Sequence, residues 1–307
     1  MLKGSFKESH PVFQLFLCFI FVIFGALSGG LIWTVVAFIK SGFSPQIFEI
    51  VMNNLYEDAA VMREMQFFSS LGTFILPSLI LAYLFSSDYK DYLKLDTPWD
   101  FPTISLTVLS MIAALPLLNF LSYYNMQISF PEALKPLEDL LRSMEDENIR
   151  LMEMMLYTEN IGDFIFNILI IAVLAGIGEE FLFRGVIQNI FGKFNLNIHW
   201  VIWIVAIIFS AVHFQFFGFI PRMLLGAYFG YLLYYTRNMW APVIAHFTNN
   251  LIVVGLYRVY QDEPEKIEEI DAIGIGSLWW MVLISLALFI VLFLQIKKRS
   301  QLQGFLP

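Results

Sequence analysis

Eight stretches of the chain stay apolar for long enough to cross a bilayer: 13–39, 66–86, 101–124, 161–184, 199–219, 221–236, 240–258 and 274–296. A helical span needs about 20 such residues. Pro77 and Pro116 fall inside the second and third stretches, where they are expected to kink a helix rather than end it. The pattern changes between the third and fourth. Over 125–160, Leu134, Leu137, Leu141 and Met144 recur at helical spacing, followed by Met152, Met155 and Leu156, with charges filling the other positions. That periodicity predicts an amphipathic helix or helix pair outside the membrane, packed as a lid on the span ends. The fold expected is all-α, a polytopic membrane bundle of about eight transmembrane helices. Its parts are three N-terminal spans over 1–124, the extramembrane segment 125–160, a five-span core over 161–296 and a basic tail at 297–307.

Composition supports the bilayer as the solvent. The 307 residues are 58% hydrophobic and only 14% charged, with 32 phenylalanines, too apolar for a folded chain that needs a polar skin. A soluble enzyme, a disordered chain and a nucleic-acid binder are excluded, and the net charge of −8 argues against polyanionic partners. The single cysteine, Cys18, permits no intrachain disulfide and reads as a buried structural thiol. The first apolar run is far longer than a signal-peptide core, so it reads as a retained span. Lys297, Lys298 and Arg299 beside the last span place both termini in the cytoplasm, which requires an even number of spans. The acidic run Asp262–Asp271 reads as a solvated loop.

Ionisable residues inside spans are costly, about 2.5–3.5 kcal/mol each on insertion scales, and here they are concentrated. The fourth span carries Glu179, Glu180 and Arg184; the fifth carries His213; the seventh carries His246 and Asn250. Glu180 and Arg184 are i,i+4 neighbours with the acid first, a structural ion pair. Glu179 is turned about 100° away and has no basic residue one turn on, which leaves it to face a cavity as a general base. His246 and Asn250 share a face and offer two donors that suit a developing oxyanion. His213 can share a water with Glu179 or ligate a metal. Gly176 and Gly178 leave room for a substrate backbone or a close helix contact. Gly226 and Gly230 read as a helix-packing pair. One strain stands out: Glu179 falls toward the inner end of its span and His213 in the outer half of its own. They meet only if the fourth helix extends beyond Arg184, or if the helices tilt and stagger; the extension is expected, with the helix continuing through Gln188 and the site near mid-depth.

Glu179-Glu180-x-x-x-Arg184, Phe209-x-x-x-His213 and His246-x-x-x-Asn250, in that order on successive membrane helices, resemble the three motifs of the CPBP family. That family comprises the type II CAAX prenyl endopeptidases and the bacterial Abi proteins, and the likeness covers about 171–255. The resemblance implies an intramembrane endopeptidase in which Glu179 and His213 activate water, His246 and Asn250 hold the oxyanion, and Glu180 with Arg184 holds the helix. The family is described both as metal-dependent and as glutamate-type. Glu179, His213 and His246 have the composition of a two-histidine, one-glutamate zinc centre, although the His-Glu-x-x-His motif is absent. The metal-free reading, which needs no cofactor, is preferred. The substrate implied is a membrane-embedded or lipid-modified peptide or protein. The phenylalanine- and isoleucine-rich composition suits a bacterial cytoplasmic membrane, where a prenylated CAAX substrate would be absent; in a eukaryotic source the substrate expected is a prenylated CAAX protein. The competing readings are a non-catalytic binding protein on the same fold, such as a bacteriocin-immunity or scaffold protein, and an ion or proton transporter.

Overall fold

A computed structural model of the chain describes residues 2–98, 100–302 and 304, and these form helices joined by short turns, with no strand among them. Of the tail at 297–307, residues 303 and 305–307 lie outside the described residues. Five helices are long and apolar enough to cross a membrane: Pro11–Lys40 (α1), Ala59–Phe85 (α3), Phe101–Met126 (α4), Ile161–Gly192 (α6) and Trp280–Leu302 (α11). Ile198–Ala211 (α7), Phe219–Thr236 (α8) and Trp240–Tyr260 (α9) lie where the three remaining spans are expected. Pro45–Asn53 (α2), Lys135–Leu156 (α5) and Pro264–Asp271 (α10) are polar-faced helices between them. The chain is an all-helical integral membrane protein.

The outer surface shows why this bundle needs lipid. On α1, Phe19, Phe24, Leu27 and Leu31 are each more than three-fifths exposed, whereas Gln14, Cys18, Gly29, Trp33 and Ala37 form the buried stripe. That stripe meets α3 at glycines. A Cβ on Gly25 would lie 2.0 Å from the Gly72 carbonyl oxygen, and one on Gly72 would lie 2.3 Å from the Gly25 carbonyl oxygen. Backbone here touches backbone, the small-residue contact that holds helices together where no hydrophobic effect separates them from lipid. Gly72→Val is therefore expected to force the helices apart and destabilise the protein by about 1–3 kcal/mol or more. A lowered unfolding midpoint in detergent checks this; an unchanged midpoint would contradict it.

Both internal prolines are tolerated. In α4, Pro116 breaks the regular ladder, and Ser285 of α11 fills the gap: its Oγ accepts from the Leu117 N–H at 3.3 Å and donates to the Ala113 carbonyl at 2.6 Å. In α3, a wide i→i+5 turn at Leu71–Ile75 precedes Pro77, and Ser78 Oγ donates to the Phe74 carbonyl.

Two helix ends matter most for function: that of α6 follows the expected extension through Gln188, and that of α7 departs from the expectation. α6 runs to Gly192, eight residues past Arg184, so its 32 residues span about 48 Å and Glu179 sits near its middle. α7 stops at Ala211 rather than near 219, because Phe214 takes a left-handed conformation (φ 55°) that no helix continues through. Its 14 residues rise only about 21 Å, less than the bilayer core. His213 thus lies in the turn after α7, not on the helix. α8 starts at Phe219 and runs parallel to α6, since Arg184 meets the Gly226 carbonyl and Gln188 meets that of Gly230.

Candidate active site

The site is built on the middle of α6. Wide i→i+5 turns cover Ile168–Leu174 and Phe181–Ile187, and the regular turn Ala175–Glu180 between them carries both acids. Such turns shift side chains out of the regular register and recur at functional sites. The glycines of that turn make close helix contacts. A Cβ on Gly176 would press on the α9 backbone at Phe247, 3.3 Å away, and one on Gly178 would strike Phe74 of α3 at 2.8 Å.

Glu180 and Arg184 are both fully buried and joined at 2.9 Å. Arg184 also donates to the Gly226 carbonyl at 3.0 Å and stacks over the Phe209 ring at 4.3 Å from its centroid. Gly226 makes this possible, since a Cβ there would crowd Phe209 and the guanidinium. The same Oε1 of Glu180 accepts from His246 Nδ1 at 2.9 Å. Glu180 therefore does more than neutralise Arg184: it sets the imidazole of α9, which also lies flat on Phe229 at 5.2 Å. Spacing pairs Glu180 with Arg184 along one helix but cannot show the cross-helix bond.

Glu179 points the other way and meets two imidazoles. His213 Nε2 and His246 Nε2 each lie 3.9 Å from its Oε2, an oxygen shielded from solvent with no hydrogen-bond partner. Both rings turn the same edge inward. His213 Nδ1 bonds the Phe209 carbonyl at 2.7 Å and His246 Nδ1 bonds Glu180. Carbonyl and carboxylate oxygens only accept, so each Nδ1 carries its proton and each Nε2 faces Glu179. A separation of 3.9 Å is too long for a direct hydrogen bond and suits one bridging water. The helix extension brings Glu179 and His213 together.

Asn250 is placed differently from the expectation of two donors converging on one point. Its Nδ2 donates to the Ile171 carbonyl at 2.8 Å, inside the first wide turn of α6, and its Oδ1 accepts from Asn249. The donors Glu179, His213 and His246 match zinc in kind. The spacing does not: with bonds of about 2.0–2.1 Å, two ligand atoms 3.9 Å apart would subtend about 140°, far from tetrahedral. Among the described residues, no group of three or more His, Cys, Asp and Glu side chains closes to metal-binding geometry.

The turn that carries His213 is held from outside the core. Its buried backbone groups need hydrogen-bond partners. Glu145 of α5 accepts the Phe217 N–H at 2.7 Å, and Asn125 at the end of α4 bonds both the Phe216 carbonyl and the Ile220 N–H. Arg142 stacks on the Phe217 ring at 4.1 Å. Burial pushes the Glu145 carboxyl above the ordinary carboxylate range, with the Phe217 bond opposing it. Sequence reading followed the leucines of this helix and passed over Glu138, Arg142 and Glu145, whose spacing of four and three marks the face turned inward.

Residues 161–252 match the family model described as Type II CAAX prenyl endopeptidase Rce1-like. A protein of Bacillus subtilis (strain 168), described as uncharacterized protein YpbD, is 31% identical over 107 residues, which cover 34% of this chain and 52% of that relative. The match thus spans about half the length of that curated protein. No solved structure matches the chain. The matched segment contains Glu179, His213 and His246, and its family is the one the three motifs resemble.

Proposed function

We propose that this protein is an intramembrane endopeptidase of glutamate type, acting on a membrane-embedded or lipid-modified peptide. The observation that carries this reading is the convergence of His213 Nε2 and His246 Nε2 on the unpartnered Oε2 of Glu179. A water between Glu179 and His213 gives up a proton to Glu179 as its oxygen attacks the scissile carbonyl. His213 Nε2 accepts a hydrogen bond from the hydrogen that the water keeps, which aims the oxygen's lone pair at the carbonyl. His246, held at Nδ1 by Glu180, turns Nε2 toward the site and is the oxyanion's partner there. The amide of Asn250 has two hydrogens; one holds the Ile171 carbonyl and the second is the other oxyanion donor. Glu179 then passes its proton to the leaving amine, which yields one carboxylate and one amine per bond cut. No step runs through a metal. The match to the CAAX endopeptidase-like model makes a lipidated peptide with a nearby C-terminus the first substrate to try. The proposed location is a bacterial cytoplasmic membrane, with both termini on its cytoplasmic side.

The test is cleavage of prenylated and unprenylated membrane peptides by the protein in proteoliposomes, with and without a strong zinc chelator. Cleavage that the chelator leaves unchanged is expected. Activity that disappears and returns with zinc would contradict the metal-free mechanism, and intact peptides throughout would favour a binding protein on this fold.

A further inference from the structure

His213 can serve Glu179 only while its turn keeps one shape. The ring is tied to α7 through the Phe209 carbonyl, and Nε2 stands 3.9 Å from Glu179 Oε2, the span of one bridging water. The chain that follows has little support from α7. Among the described residues, the last backbone bond to that helix runs from the Phe214 N–H to the Ala211 carbonyl at 3.1 Å, and Phe214 then turns left-handed. Past that point the turn leans on side chains from two other helices. Glu145 Oε2 of α5 accepts the Phe217 N–H at 2.7 Å. Asn125 of α4 donates to the Phe216 carbonyl at 3.1 Å and accepts from the Ile220 N–H at 3.2 Å. Asn125, Glu145 and Phe217 are all buried, so water does not stand in for these partners. α5 is itself fastened to the end of α4. Glu138 accepts the Phe130 N–H at 2.9 Å and the Arg142 Nε–H at 2.8 Å, and Arg142 donates to the Ile128 carbonyl at 2.9 Å. Neither Asn125 nor Glu145 falls within the matched residues 161–252.

We propose that Glu145 and Asn125 are positioning residues for His213, so that α5 sets the rate of the reaction from outside the helices that carry the catalytic groups. This rests on the hydrolase reading above. Neither residue touches the reacting atoms. They fix the peptide groups on the far side of Phe214, which gives the turn one shape and His213 one distance from Glu179. The tolerance is small. A gap of 3.9 Å holds one water, and a shift of about 1 Å closes that space or breaks one of the water's two hydrogen bonds. Without Glu145 the buried Phe217 N–H is unmet, and the turn must move to find another acceptor. The loss falls on the chemical step rather than on substrate binding, because His213 aims the water and does not hold the peptide.

The experiment compares full-length wild type, Glu145→Leu, Glu145→Gln and Asn125→Ala. Cleavage of a fluorescent farnesylated membrane peptide is followed in proteoliposomes, and the histidine ring signals are followed by NMR on protein labelled at histidine, with His213→Gln to assign them. Glu145→Leu, which removes the acceptor, is expected to lower kcat about 10- to 100-fold with KM held within about twofold. Its His213 signal broadens or splits while that of His246 stays in place. Glu145→Gln removes the same charge but keeps an oxygen for the Phe217 N–H, so it recovers most of the rate and a single sharp His213 signal. Asn125→Ala leaves α5 intact and repeats the Glu145→Leu pattern, and it carries the test if Glu145→Leu does not fold. A lowered unfolding midpoint with an unchanged kcat and His213 signal would show a purely structural role and overturn the proposal. Equal losses in Glu145→Leu and Glu145→Gln would also overturn it, since charge rather than the hydrogen bond would then matter. The NMR signal separates this proposal from the hydrolase reading. A His213 signal that responds as described, with no cleavage by wild type, would keep the positioning role and remove hydrolysis. Cleavage by all four proteins alike, with the His213 signal unmoved, would do the reverse.

Discussion

Glu179→Gln is expected to reduce peptide cleavage by about 100- to 10,000-fold while leaving folding intact, the range spanned by a positioned general base. The two halves of that result have separate causes. The Oε2 of Glu179 has no protein hydrogen-bond partner, and the nearest imidazoles stand 3.9 Å away. Replacing it with an amide therefore breaks no direct bond and removes a buried negative charge. The lost property is the capacity to take a proton from water. The loss belongs in kcat rather than KM, because the proton moves only as the transition state forms. Turnover of a membrane peptide together with the unfolding midpoint checks it. A midpoint that falls in step with activity would contradict the assignment.

Glu180 and Arg184 predict the opposite pattern. Both are fully buried, and the pair is tied to His246, the Gly226 carbonyl and the Phe209 ring. Glu180→Ala or Arg184→Met strands one charge in the bundle and is expected to cost about 3–5 kcal/mol. That is a large share of the total of about 5–15 kcal/mol typical of folded domains. Removing both partners together should cost less than the sum of the singles, since the stranded charge goes too. Denaturant unfolding in detergent measures all three. Single substitutions that shift stability by less than about 1 kcal/mol would show that the pair does not hold this site together. Glu180→Gln keeps an acceptor for His246, and it should unfold less readily than Glu180→Ala.

Much of the bundle was legible because a bilayer asks for long apolar runs: α1 and α4 follow those runs within two residues, whereas α11 starts and ends six residues later than its run. The chemistry was legible because charged groups in such runs are costly, so Glu179, Glu180, Arg184 and His246 stood out against their surroundings. What hydropathy could not show is where backbone geometry intervenes. The apolar run from 199 to 219 continues straight through the turn at Phe214, whose left-handed conformation ends α7 and swings His213 toward Glu179. Hydropathy alone ended the fourth span at Arg184; its extension through Gln188 was legible instead from the need to bring Glu179 to His213, and the Gly226 and Gly230 carbonyls receive Arg184 and Gln188 inside the bundle. Asn250 illustrates the limit of shared-face reasoning: its spacing from His246 is right, but a carbonyl in a wide turn takes one of its two amide hydrogens, which spacing does not show. Glu145 and Asn125 were missed for a related reason. Their partners are backbone groups of a turn that only the three-dimensional structure reveals.

Peptide hydrolysis in heavy-oxygen water, followed by mass spectrometry of the products, tests the claim that Glu179 activates a water most directly. Wild-type protein in proteoliposomes should yield a fragment whose new terminal carboxylate carries one heavy oxygen per bond cut, and Glu179→Gln should leave the peptide intact over the same time. Equal labelled product from both proteins would contradict the account.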